Sequence, residues 1–172
     1  MPGSASSFAP RALVFALAAA LSPGAAADAD FERSNRFGDP FVAITAGLAR
    51  CPVPDPPGYT AAEATAQAHD RAQRGVSCWL AGRCRLPNAY LYDAEIIPRV
   101  RVALQADGRF GATTSLWATG RRRVVWLQGC ATSADDAAAA ERIVRGIDDV
   151  EDVVNQIMLG TEGAAPYRTG GR

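Results

Sequence analysis

Few side chains in this chain are equipped for covalent or metal chemistry. The cysteines are Cys51, Cys78, Cys84 and Cys130, and His69 is the only histidine. One histidine and no C-x-x-C pair argue against a zinc site. His69 has no G-x-S-x-G elbow to serve and reads as a structural or surface residue. There is no phosphate-binding P-loop and no dinucleotide fingerprint. The acids are dispersed or sit at helix ends, where capping accounts for them. The chain is therefore not expected to be an enzyme, and no metal or cofactor is expected. Two disulfides are the natural reading of four cysteines in an oxidising compartment. Three connectivities exist, and the favoured one joins Cys78 to Cys84 and Cys51 to Cys130.

The elements that position these groups follow from turn signals and periodicity. Residues 28–58 read as irregular, with one possible short strand at Phe41–Ile44. The run Cys51-Pro52-Val53-Pro54-Asp55-Pro56-Pro57-Gly58 is a stiff connector, because its prolines remove donors and fix φ. Thr60 and Glu63 form a capping box for a helix ending at Gly75, with Ala64, Ala68 and Ala72 as its apolar stripe. Val76, Trp79 and Leu80 are expected to pack that helix. Residues 78–92 form a loop holding Trp79, Tyr90 and Tyr92.

The C-terminal part is more regular. A helix is expected over 94–107, with Ile97, Val100 and Leu104 on one face and Pro98 in or near its first turn. Ser115–Ala118 and Val124–Leu127 read as a hairpin, with Gly120 and the three arginines as its turn and Gly129 as the stop of its second strand. Ser133 caps a helix to about Arg145, with Ala140, Ile143, Val144 and Ile147 inward. Val153–Leu159 is the last strand, and a polar tail follows. The order α-β-β-α-β predicts an α+β fold, with two helices on one face of a three-stranded mixed sheet.

The chain is 48% hydrophobic and 21% charged, as an ordinary globular protein is. Every basic residue is Arg, and the formal net charge is zero, so no positive excess drives nucleic-acid binding. Arg11, the apolar run Leu13–Leu21 and Ala25-Ala26-Ala27 before Asp28 have the form of a secretory signal peptide. The expected organisation is residues 1–27 as signal peptide, 28–91 as a Cys-containing segment with one helix, 92–160 as the α/β domain, and 161–172 as a flexible tail. No transmembrane span is expected in the mature chain.

Residues 92–160 resemble a BON domain, a small module of bacterial envelope proteins, some of them osmotically induced. Val124-Val125-Trp126-Leu127-Gln128-Gly129 is similar to the family's V-V-x-L-x-G strand. Gly146-Ile147-Asp148-Asp149-Val150-Glu151-Asp152-Val153-Val154-Asn155 resembles its G-V-x-x-V-x-N pattern. Arg121-Arg122-Arg123 depart from the family, which usually has a glycine just before the V-V-x-L strand. The resemblance implies a periplasmic, or else extracellular, protein that binds phospholipid surfaces or an envelope partner, with a link to osmotic or envelope stress. A structural or assembly protein without lipid binding is the alternative.

Alternation along the strands sends Trp117, Val124 and Trp126, with Val154 and Met158, to the sheet face that no helix of the domain covers. Such an apolar patch requires an occupant. Residues 28–90 folding back over it, a protein partner, and a membrane interface are the candidates. In the last case Trp117 or Trp126 inserts, and Arg121, Arg122 and Arg123 attract anionic phosphate. Trp117, Arg121, Arg122, Arg123, Val124, Trp126 and Met158 are thus the candidate binding surface.

Overall fold

The computed structural model describes Gly3 and residues 32–170. The expected signal peptide lies, Gly3 apart, outside the described residues. In chain order the elements are β1 (Phe41–Ala43), α1 (Ala61–Gly75), a helical turn α2 (Ser77–Leu80), a 3₁₀ turn (Ala89–Tyr92) and α3 (Asp93–Ala106). A second helical turn α4 (Phe110–Thr113), β2 (Thr114–Arg121), β3 (Val124–Ala131), α5 (Ala134–Arg145) and β4 (Asp152–Leu159) follow.

These make one mixed sheet in the order β1-β2-β3-β4. β1 and β3 run antiparallel to β2, and β4 runs parallel to β3. The sheet has four strands where three were expected. β1 comes from the segment before the domain and covers the edge of β2 that would otherwise present unpaired backbone groups. The turn α4 is a further element between α3 and β2. The parallel β3–β4 pair needs a long crossover, which α5 supplies.

The core lies between the sheet and two helices. Leu116, Ala118, Val125, Leu127 and Val153 meet Ile96, Ile97, Val100 and Leu104 of α3 and Ala140 and Val144 of α5. α3 begins at Asp93, directly off the 3₁₀ turn, so Pro98 falls beyond its first turn. Pro98 and Ala94 are exposed, so water can meet the carbonyl that the proline leaves unpaired. Gly129 lies within β3 rather than ending it. Its φ is +127°, and a Cβ there would stand 2.0 Å from the Ser115 carbonyl oxygen.

α1 has its capping box: Glu63 N–H donates to Thr60 Oγ1 at 3.2 Å, and Thr60 N–H to Glu63 Oε2 at 3.0 Å. Its alanine stripe does not pack, since Ala68 and Ala72 are exposed. The helix docks through Arg71 and Gly75 instead, its only buried residues. Trp79 and Leu80 are also exposed rather than packed on it. Alanine methyls bury too little area to hold a helix. The segment after β4 is not free of the fold. Asp55 N–H donates to the Arg168 carbonyl at 2.8 Å, and Tyr167 is buried with its hydroxyl donating to the Pro52 carbonyl at 2.9 Å.

The β2–β3 turn contains only Arg122 and Arg123, with φ of 56° and 66°. This is the type I′ pattern, which normally uses Asn and Gly because positive φ is costly for other residues. The turn is held by Asp93. Its Oδ2 accepts the Arg122 N–H at 2.7 Å and its Oδ1 the Arg123 N–H at 2.8 Å. Gly120 lets α3 come this close, since a Cβ there would stand 2.8 Å from Ile97 Cγ1. Burial pushes the Asp93 carboxyl up from 3.8 to about 6, against the pull of the two N–H bonds.

Because its pKa is raised on folding, Asp93 contributes most stability below about pH 4 and loses that contribution as pH rises through about 6. Asp93→Asn removes this slope and one acceptor oxygen. Urea unfolding of the variant should give a flatter stability profile between these pH values and a loss of about 1–3 kcal/mol at neutral pH.

The disulfides join Cys51 to Cys130 and Cys78 to Cys84, with sequence separations of 79 and 6. The longer loop loses more chain entropy on closure. Removing the first bridge by a double Cys→Ser exchange should therefore cost more than removing the second, within a range of about 2–4 kcal/mol. Thermal unfolding of the two oxidised variants measures the difference.

Candidate functional site

The sheet face away from α3 and α5 is neither bare nor sealed. The N-terminal segment runs along one side of it, and residues 165–168 along another. Between them is a cleft of about 950 Å³. Its floor includes Thr119 and Arg121 of β2, Trp126 and Gln128 of β3, and Gln156 of β4. Pro56, Pro57, Tyr59 and Asp39 line it from the first wall, and Pro166, Tyr167 and Arg168 from the second.

Strand register explains which residues reach the floor. The two-residue turn pairs Arg121 with Val124, Thr119 with Trp126 and Trp117 with Gln128. Trp117 and Trp126 are therefore diagonal neighbours on one face rather than directly opposed. Of the expected surface residues, only Arg121 and Trp126 line the cleft. Trp117 is half-buried beside Ala43 of β1. Val124 sits at the turn end, and Met158 pairs with Cys130 at the other end of the sheet.

The three arginines do not form one patch. The Arg121 guanidinium lies 5.2 Å from the centre of the Trp126 ring, and its Nη1 is 3.5 Å from Tyr59 Oη. Arg123 turns the other way, donating from Nε to the Asp149 carbonyl at 2.8 Å and lying 5.1 Å from the Tyr92 ring centre. Alternating strand geometry and the turn between them force this divergence. The polar part of the floor is linked: Gln128 Nε2 donates to Gln156 Oε1 at 2.9 Å, and Gln156 Nε2 to the Pro166 carbonyl at 3.2 Å.

A buried ion pair supports the first wall. Arg71 Nη1 donates to Asp39 Oδ1 at 2.8 Å, and the Tyr59 hydroxyl donates to Asp39 Oδ2 at 2.9 Å. The guanidinium stands 3.8 Å from the centre of the Phe37 ring, 4.5 Å from Tyr90 and 5.4 Å from Tyr59. Burial works against the Arg71 charge, but its bonds to Asp39 outweigh burial and raise its pKa. Arg71 Nε remains buried without a partner. A second wall tie is Arg33, which donates to Glu63 Oε1 at 2.8 Å and to the Gly58 carbonyl at 2.9 Å.

Gln128 and Gln156 were not among the expected surface residues, although strand alternation puts both on the face of Trp126. Asp39, Tyr59 and Arg168 were not legible in the sequence, because each reaches the site through contacts between distant segments. Among the described residues no cluster of His, Cys, Asp and Glu has the makings of a metal site. No helix there is long and apolar enough to cross a membrane.

Residues 92–161 match the family model of the BON domain. Comparison with curated proteins and with solved structures gave no match. The match begins at Tyr92, immediately before α3, and ends just past β4. β1, α1, both cleft walls and three of the four cysteines are therefore additions to the BON unit.

Removing Arg71 would leave the Asp39 carboxylate buried and unpaired. Arg71→Ala should therefore destabilise the fold by about 3–5 kcal/mol in urea unfolding, more than a surface arginine at the same helix would. Arg74→Ala on the exposed side of α1 is the control.

Proposed function

We propose that this chain, whose residues 92–161 form a single BON domain, is a non-catalytic binding protein exported to the bacterial periplasm that attaches to phospholipid surfaces. The family's association with phospholipid and envelope binding supports this, as do the signal-peptide pattern and the disulfides. One structural observation carries it furthest. Trp79 and Leu80 are 47% and 78% exposed, on a turn within the loop closed by Cys78 and Cys84. Leu91, 53% exposed, lies on the adjoining 3₁₀ turn, directly before the domain.

A Trp and a Leu held outward on a closed loop, with a second Leu on the adjoining turn, lose little conformational freedom when they enter an interface. Trp suits the headgroup boundary, where one side of the ring is apolar and its N–H meets water. Arg83 is exposed in the same loop and has no carboxylate within ion-pair distance among the described residues. It would supply attraction to anionic headgroups at roughly 1 kcal/mol. This replaces the hairpin arginines as the contact, because Arg121 faces the cleft beside Trp126 and Arg123 is bonded to the Asp149 carbonyl.

Docking on an envelope protein is the second reading. Its support is that the segments added to the BON unit are rigidly tied and create a shaped surface. A role in osmotic or envelope stress belongs to either reading.

Co-flotation of the oxidised mature protein with anionic and neutral vesicles tests the first. Selective flotation with anionic vesicles is expected at low salt. Trp79→Ala and Leu80→Ala together should weaken it about 10- to 100-fold, from the apolar area withdrawn, while Arg122→Ser should leave it nearly unchanged. Absence of flotation with every vesicle, or full binding by the double variant, would sink the proposal.

A further inference from the structure

We propose that the cleft on the open sheet face is a binding site for a small hydroxylated ring ligand carrying one carboxylate or phosphate, a sugar acid or a sugar phosphate. Its charge pattern calls for an anion. Arg33 is spent on Glu63 and Gly58, as described above. Arg121 and Arg168 have no carboxylate within ion-pair distance among the described residues, and both line the cleft. Asp39 does not oppose them, because Arg71 and the Tyr59 hydroxyl occupy both of its oxygens. Asp55 also lines the cleft, and with it the two arginines leave one positive charge in excess, which a ligand with one anionic group matches. A guanidinium offers paired N–H donors matched to a carboxylate or phosphate. Arg121 is set in place by the Trp126 ring beneath it, so little side-chain freedom is lost on binding.

The remainder of the lining calls for hydroxyls and a ring. Each glutamine of the floor uses one amide N–H within the chain Gln128–Gln156–Pro166, which fixes both amides. A second N–H on each, and Gln128 Oε1, stay available as donors and acceptor. Thr119 adds a hydroxyl. Pro56 and Pro166 give apolar faces across which a ring can lie, with Trp126 beside them. A cleft of about 950 Å³ is at the large end for such a ligand.

None of Trp79, Leu80, Arg83 and Leu91 lines the cleft, so its ligand does not compete with the membrane contact. The two readings can therefore fail separately.

The experiment is calorimetric titration of the oxidised mature protein, with the Trp126 indole N–H followed by NMR. The probes are glucuronate and glucose 6-phosphate, with glucose and inorganic phosphate as partial ligands. At least one anionic sugar should bind and shift the Trp126 indole signal, and which one binds separates carboxylate from phosphate. Glucose and inorganic phosphate should each bind at least ~10-fold more weakly. Arg121→Gln and Arg168→Gln should each weaken the anionic sugar ~10-fold or more. Arg168 is exposed on the second wall, so its exchange does not threaten the fold. The proposal is overturned if no probe moves Trp126, if glucose matches the anionic sugars, or if inorganic phosphate matches glucose 6-phosphate. It is equally overturned if both arginine variants bind as the parent does. Flotation with vesicles should be unchanged by saturating sugar.

Discussion

The grip of Asp93 on the hairpin turn organises the sheet. Two adjacent backbone N–H groups, from arginines at positive φ, converge on one buried carboxylate at the first residue of α3. Holding two L-residues in that conformation costs roughly 1–2 kcal/mol each. The carboxylate offsets this by satisfying both donors, and the same contact ties helix to strand at Gly120. The turn then sets the pairing of Arg121 with Val124. Every residue of β2 and β3 takes its face from that pairing. A slip of one residue would send Trp126 into the core and Leu127 into the cleft.

From this register the rest of the open face follows. Thr119, Arg121, Trp126 and Gln128 are presented together because they alternate with the buried residues Ala118, Gly120, Val125 and Leu127. The face is then enclosed by segments that lack a core of their own. These are tied down by local and specific devices: a disulfide from Cys51 to Cys130, the pair of Arg71 with Asp39, and backbone pairing of Asp55 with Arg168. The ion pair does not stabilise by its charges alone, because desolvation opposes it. Three aromatic rings around the guanidinium, and the Tyr59 hydroxyl on the carboxylate, supply contacts that exposed charges would lack.

The BON unit was legible because its signals are local. Hydrophobic alternation marked Leu116 to Ala118 and Val125 to Leu127. Ser133 announced α5, and Val124 to Gly129 with Gly146 to Asn155 carried the family pattern. Both disulfides were also favoured correctly: Cys78 and Cys84 are close in sequence, and Cys51 was left to pair with Cys130. The α1 stripe misled, because helical spacing of alanines says nothing about what they meet. Arg71 on the neighbouring face had the real partner, Asp39, 32 places earlier in the chain and reachable only through the fold.

The sequence by itself determined which residues of the hairpin and the last strand face the core, and the helix caps, because those depend on neighbours a few positions away; it favoured one cysteine pairing among three without deciding it. The tertiary structure alone decided that β1 joins β2, that the C-terminal segment returns across the sheet, and that Arg121 and Arg123 part company. Those outcomes rest on contacts between segments far apart in the chain. Their free energy comes from burial and hydrogen-bond geometry that exists only once the sheet has formed, and no local pattern of residues encodes it.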